Sequence, residues 1–336
     1  MQNNKKTLVE VENLCKYYPV SNSSIAKAKQ MVHAVDNVSF QIQEGETLGV
    51  VGESGCGKST IGRQLMALER PSSGRILYDG QDITAMTERK LRGIRTEFQM
   101  VFQDTNSSLN PRKQVYDILA EPMLYHKIVT KENVKQEVER LLDMVGLAKN
   151  SLHKYAHEFS GGQRQRIGIA RALSLKPRLL VCDEPVSALD VSVQAQILNL
   201  LVSLQKEMNL TYVFIGHGLG AVRYISTRIA VMYLGKIVEI ADAKELFENP
   251  LHSYTKALVD ASPIPDPNLR ERSRIIISGE IPSSVNPPSG CRYHPRCPYA
   301  KEECKNVTME LLEVKGTSNH LCACPYSLTE NIVGEE

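Results

Sequence analysis

The sequence predicts an α/β fold followed by a short C-terminal segment of different character. Three observations carry that expectation. The first is a glycine-rich loop, Gly52–Thr60 (GESGCGKST), set between an apolar, β-branched stretch and a helical one. The second is a later apolar run, Leu179–Cys182, that ends abruptly in Asp183-Glu184. The third is a shift in composition: five of the eight cysteines lie in the last 46 residues, and nine of the 16 prolines lie beyond residue 260.

A chain of 336 residues suggests about two domains, and the shift places a boundary near residue 260. The hydrophobic content of 42% fills a sizeable core, and 40 basic against 38 acidic residues leave a net charge of +2. That balance argues against a broad nucleic-acid-binding face. No apolar run reaches the roughly 18 residues that a bilayer span needs. The N-terminus, MQNNKKTLVEVENL, lacks an apolar signal-peptide core. The expectation is a cytoplasmic protein whose membrane role comes through a partner.

Taken in order, Leu8–Leu14 alternates and reads as a strand, and residues 20–31 read as a small polar loop. Val32–Ile42 alternates again and ends in the turn Glu44-Gly45-Glu46. Thr47–Val51 reads as a buried strand and Ile61–Leu68 as a helix. A turn at Pro71–Gly74, a short strand Arg75–Tyr78 and a hairpin-type turn at Asp79-Gly80 complete a predicted antiparallel sheet. Residues 112–175 look mostly helical, with Val134, Val138, Leu141, Leu142 and Val145 on one helical face. Leu179–Cys182 is a buried strand; Val193, Ile197, Leu200, Leu201, Leu204 and Met208 mark a long amphipathic helix. Tyr212–Ile215 is the next strand, and Ile229–Tyr233 with Ile237–Ile240 form a hairpin across Gly235-Lys236. Residues 263–290 read as a Pro/Ser-rich linker holding one short strand, Arg274–Ile277.

The chemistry starts at the loop. Gly52, Glu53, Ser54, Gly55, Cys56, Gly57, Lys58, Ser59 and Thr60 fit the phosphate-loop pattern G-x-x-x-x-G-K-[ST] without a gap. Its glycines permit backbone conformations that aim successive N–H groups at phosphate oxygens. The following helix N-terminus adds partial positive charge. Lys58 reaches the β- and γ-phosphates, and the Ser59 hydroxyl ligates Mg²⁺. An Asp at a strand's end, Asp183, can hold Mg²⁺ directly or through water, and Glu184 beside it can polarise an attacking water. Phe159-Ser160-Gly161-Gly162-Gln163 opens another helix and offers a second anion site. One ATP needs only one phosphate loop, so a second site suggests two chains sandwiching the nucleotide.

With these motifs in this order, residues 8–260 resemble an ATP-binding cassette (ABC) ATPase. The resemblance implies a RecA-like P-loop NTPase core, an antiparallel β subdomain and an α-helical signature subdomain at about 104–175. Gly52–Thr60 is similar to the Walker A loop, Leu179–Glu184 to Walker B, and Ser160, Gly161, Gly162 and Gln163 to the signature motif that reaches the partner's ATP. The resemblance makes Glu184 the catalytic base, Gln103 the Q-loop residue that senses Mg²⁺, His217 the switch histidine on the γ-phosphate, and Asp190 part of the D-loop at the dimer interface. Tyr18 sits where the family stacks an aromatic on adenine, with Tyr17 as the alternative. Two departures stand out: Gly216-His217-Gly218 replaces the usual Ser-His-Asp, and Thr105 replaces a usual Pro. The first loosens the loop around His217 and removes a carboxylate, so slower hydrolysis is expected.

Within the ABC ATPases, Gln103-Asp104 with Ser107–Arg112 resembles the oligopeptide/dipeptide importer group, closest to its second ATPase subunit. Nickel importers share much of the pattern. The resemblance implies two membrane permease subunits, an extracytoplasmic substrate-binding protein, a related partner ATPase, and a peripheral position on the cytoplasmic face of the membrane. A soluble ABC ATPase acting on ribosomes or DNA is the reading from another class; the single cassette and near-neutral charge count against it. A chain that is mainly a redox sensor is a second rival.

The tail is read separately as residues 261–336. Its cysteine spacings lack the C-x-x-C pairs of common zinc ribbons. The four thiols can hold an iron–sulfur cluster or zinc, or bind no metal at all. The resemblance implies a [4Fe–4S] cluster on Cys291, Cys297, Cys304 and Cys322, with Cys324 as a substitute for the last.

Overall fold

The computed structural model describes residues 6–20, 30–104, 108–262, 279–317 and 319–326. Thr105 and Ser107, the N-terminal part of the predicted linker and its strand Arg274–Ile277 lie outside the described residues. The fold is mixed α/β and divides into two compact units. One comprises Gln43–Thr47 and Ala85–Gly216; the other comprises Thr7–Ile42, Leu48–Thr84 and the chain from His217 onward.

In the first unit, three parallel strands form the floor. Leu179–Asp183 lies between Phe98–Val101 and Thr211–Ile215, pairing in register with both. Leu179–Asp183 and Thr211–Ile215 are buried at every position. That is why both read as continuous apolar runs rather than alternating ones. The helical region is built from Val115–Tyr125, Val134–Met144 and Gly161–Leu173, with 3-10 turns at Lys149–His153 and Ala156–Glu158. Val134, Val138, Leu141 and Leu142 are the buried face of the second helix, as their spacing predicts. The long helix Val191–Met208 ends on Asn209, whose φ of 50° is the left-handed stop that asparagine tolerates.

The second unit holds two sheets. Met31–Gln43, Thr7–Pro19, Ser73–Tyr78 and Gln81–Asp82 form a four-stranded sheet in that spatial order. Thr7–Pro19 and Ser73–Tyr78 run antiparallel, pairing Val9 with Tyr78 and Val11 with Ile76. In the other sheet, Leu48–Val51 runs parallel to Arg228–Val231. The hairpin Arg228–Tyr233/Lys236–Asp242 follows, across Leu234-Gly235. The described tail residues extend this sheet: Leu321–Cys322 pairs antiparallel with Glu239-Ile240, and Leu312–Glu313 pairs with Leu321–Cys322. Neither tail strand has a sequence signal, because two residues cannot show a period.

Glu239 anchors that attachment. It is fully buried, and its carboxylate accepts the backbone N–H groups of Leu251 and His252 and the ring Nε2 of His320, at 2.8, 2.9 and 2.8 Å. A buried carboxylate is tolerable only with its lone pairs so occupied.

Candidate functional site

The phosphate loop occupies the second unit, between the strand Thr47–Val51 and the helix Lys58–Leu65. Gly57 has φ +108°, and a Cβ there would lie 2.0 Å from the Ala34 carbonyl oxygen. At Gly52, φ +150°, it would lie 2.1 Å from the Met232 carbonyl oxygen. Both glycines are thus required by φ and by close backbone approach. Lys58 is buried, and its Nζ donates to the Gly52 and Glu53 carbonyls at 2.8 and 3.0 Å. The ammonium therefore sits inside the loop. Cys56 is buried beneath the loop, and burial raises its thiol pKa. Ser54 and Gly55 are exposed, while Ser59 and Thr60 are half-buried at the helix start.

Tyr17 and Tyr18 lie on the strand Thr7–Pro19 in the same unit. The Tyr18 hydroxyl donates to Glu69, and the Lys16 ammonium lies 5.1 Å from its ring centroid. The Tyr17 hydroxyl donates to Asp36 at 2.7 Å, and its ring packs on His33 at 4.6 Å. His217 is exposed, immediately after the first unit's strand Thr211–Ile215 and just before the helix Leu219–Ile225. Gly218 caps that helix with φ −81° and has no atom within 4 Å of a Cβ built there. No left-handed geometry requires a glycine at this position.

The first unit brings two predicted residues into contact. Gln103 Nε2 donates to Glu184 Oε2 at 2.7 Å. Glu184 is buried with φ +48°, an uncommon conformation for a side chain of this kind, and its N–H is held by the Ile215 carbonyl at 2.9 Å. Asp183, one residue earlier, is buried at the strand end. The strained residue is the one the sequence offers as the base, and Gln103 contacts its carboxylate. Ser160 caps the helix Gly161–Leu173 reciprocally: its Oγ accepts the Gln163 N–H, and Gln163 Oε1 accepts the Ser160 N–H at 3.0 Å. A Cβ on Gly162 would meet Val193 Cγ1 at 2.4 Å, so the small residue lets two helices approach. Asp190 is exposed and caps the helix Val191–Met208 from an extended conformation, with no side-chain hydrogen bond to it.

In the tail, Cys291, Cys297, Cys304 and Cys324 line one small cavity with Leu251, Tyr293 and Tyr326. Cys322 does not. It is fully buried against Leu251 and Val314. Cys322 is held in the strand paired with Glu239-Ile240, whereas Cys324 lies beyond the strand's end, where the chain has left the ladder. Cys324, the substitute, takes the place expected of Cys322. Burial pushes the Cys291 thiol up to about 11 and the Cys324 thiol up to about 12. Among the described residues, no three His, Cys, Asp or Glu side chains are grouped closely enough to hold a metal ion. The donor chemistry suits iron or zinc, but the described geometry does not support the iron–sulfur expectation as it stands.

The family profile described as ABC transporter matches residues 35–187, and that described as oligopeptide/dipeptide transporter, C-terminal region, matches residues 238–304. The oligopeptide transport ATP-binding protein AppF of Bacillus subtilis is 50% identical over 96% of this chain and 98% of its own length. The chain belongs to the oligopeptide/dipeptide family of ABC transporter ATP-binding proteins. OppF of Salmonella typhimurium is 47% identical, covering 95% of this chain and 96% of its own. The di/tripeptide transport ATP-binding protein DppF of Pseudomonas aeruginosa is 46% identical, covering 91% and 94%. Among solved structures, the dimeric post-hydrolysis ABC cassette MJ0796 bound to ADP and Pi superposes with a TM-score of 0.63 at 27% identity, over 70% of this chain and 99% of that one. This family member is an ABC-type ATPase, acting on ATP with Mg²⁺. No helix among the described residues is long and apolar enough to cross a membrane.

Sequence reasoning missed two arginines of this ATPase. Arg292 and Arg296 flank the tail thiols, and both side chains are buried in ion pairs. The available signal was their placement, directly after Cys291 and directly before Cys297.

Proposed function

We propose that this chain is the ATP-hydrolysing subunit of a peptide importer, attached to the cytoplasmic face of the membrane through two permease subunits. The curated relatives that are named for oligopeptide or di/tripeptide transport match it over nearly their whole length, which supports the peptide assignment. An extracytoplasmic binding protein delivers the substrate. A second, related ATPase chain closes head to tail against this one, and each ATP meets the phosphate loop of one chain and Ser160-Gly161-Gly162-Gln163 of the other.

The residue roles rest chiefly on one observation, the hydrogen bond from Gln103 to a strained, buried Glu184. Gly52–Thr60 wraps the phosphates and Lys58 neutralises them; Ser59, Asp183 and Gln103 hold Mg²⁺. Glu184 orients the attacking water, and His217 steadies the transferring phosphoryl group. Tyr18 stacks on adenine, and Asp190 faces the partner chain. Residues 1–260 act as the nucleotide-binding domain and 261–336 as a C-terminal module. In that module a [4Fe–4S] cluster would take Cys291, Cys297 and Cys304 with Cys322, or Cys324 in its place, and would supply a structural cross-link and no redox step; zinc is the alternative occupant.

Uptake by a knockout strain, comparing dipeptides, longer peptides and nickel, tests the substrate. Lost peptide uptake with intact nickel uptake supports the proposal; the reverse overturns it. An anaerobic iron, sulfide and zinc count tests the tail. Near four irons per chain supports the cluster, and stoichiometric zinc without iron replaces it.

A further inference from the structure

The phosphate loop is held from outside by the tail. Arg296 carries the guanidinium, and its side chain is only 5% exposed. Its Nη1 lies 2.8 Å from Glu53 Oε2 and its Nη2 lies 3.1 Å from Glu53 Oε1, a two-point fork on one carboxylate. Nη1 also donates to the Tyr233 hydroxyl at 3.3 Å, and the guanidinium lies 5.9 Å from the Tyr233 ring centroid. The backbone of Glu53 is held as well: its N–H donates to the Tyr254 hydroxyl at 2.9 Å. Tyr233, Tyr254 and Tyr293 pack ring to ring at 4.7 to 5.2 Å and back this arrangement. Arg292 makes a parallel contact with the strand Met31–Gln43, which neighbours the one that carries Tyr17 and Tyr18. It pairs with Asp36, which in turn accepts the Tyr17 hydroxyl at 2.7 Å.

Glu53 is the second residue of the loop that must accept a tetra-anionic nucleotide. A free carboxylate there repels the phosphates. It is half-buried, so water screens it incompletely. We propose that Arg296 is a positioning residue for ATP: it neutralises Glu53, fixes the loop's entry, and thereby makes the tail part of the nucleotide site. The proposal rests on the phosphate-loop reading, and neither Glu53 nor Arg296 takes part in the bond-breaking step.

The test uses the full chain for nucleotide binding and the assembled transporter for turnover. Arg296→Ala should raise the KM for ATP and the Kd for ATP about tenfold, close to 1.4 kcal/mol. Its kcat at saturating ATP should stay within about twofold, because the lost interaction is the same in the ground and transition states. Arg296→Met, which keeps the aliphatic bulk, should behave the same and serves if the alanine variant does not fold. The decisive readout is the second change. Adding Glu53→Gln to either variant removes the unpaired charge and should return the Kd to within about threefold of the native value. A purely structural role does not predict that rescue. Native Kd in both Arg296 variants, or a double variant as weak as its parent, overturns the proposal. Failure of the native chain to bind ATP at all would instead sink the phosphate-loop reading on which it stands.

Discussion

Glu184 concentrates the chemistry at the residue scale. Its φ of +48° is paid for by the strand end, the Ile215 carbonyl and the Gln103 amide that hold it. Glu184→Gln keeps the shape and removes the proposed base. ATPase activity of the assembled transporter should fall at least about 100-fold while ATP binding persists, measured by phosphate release and by nucleotide titration. Gly218 offers the opposite kind of change. With φ −81° and no neighbour within 4 Å of a Cβ, it accepts Asp without strain, and Asp is a favoured N-cap. Gly218→Asp should leave the melting temperature unchanged or slightly raised and should increase ATP turnover by steadying His217. Unchanged turnover, with Glu184 still essential, would refute the view that the two glycines slow this site.

At the scale of elements, the helix Ser253–Ala261 shows how a cap becomes a pH dependence. His252 is its N-cap, and the ring Nδ1 accepts the Tyr254 N–H at 3.1 Å. That role needs a neutral ring, and burial lowers the His252 pKa from 6.5 to about 4. Between those values the unfolded chain binds a proton that the folded chain refuses, so stability falls as pH drops from 6.5 to 4. The loss from this residue is about 3 kcal/mol across the window. Denaturant melts of native chain and His252→Asn at pH 7 and pH 5 should show a smaller acid loss in the variant. An equal loss in both would exclude His252 as its source. The helix at Ser160 needs no such device, because Ser160 and Gln163 satisfy each other without a titrating group.

For the whole molecule, the question is how a tail poor in apolar residues stays attached. The answer is polar and buried. Glu239 receives Leu251, His252 and His320, and two short strands extend the sheet that carries it. Glu239→Ala leaves buried donors without an acceptor and should cost about 3–5 kcal/mol. It should also raise protease cleavage within residues 291–326. The double variant Glu239→Ala/His320→Ala should cost clearly less than the sum of the two singles. Additive costs would show that the pair is not coupled.

The α/β class, the strands and helices with a clear period, the phosphate loop and the Asp183-Glu184 pair are legible in the residues alone. These are local: a period of 2.0 or 3.6, or a loop whose glycines are spelled by its own backbone, needs no distant partner to be legible. Val134–Leu142 and Leu179–Asp183 were readable for that reason. Which tail thiol lines the cavity follows from packing: Cys322 is fixed in the strand against Leu251 and Val314, and Cys324, past the strand's end, lines the cavity. Only the tertiary structure decided that Arg296 meets Glu53 across 243 residues of chain, and that Arg292 meets Asp36 across 256. An ion pair of that separation leaves no periodic trace. The charges are set by the residues, but their meeting is set by the packing of Tyr233, Tyr254 and Tyr293.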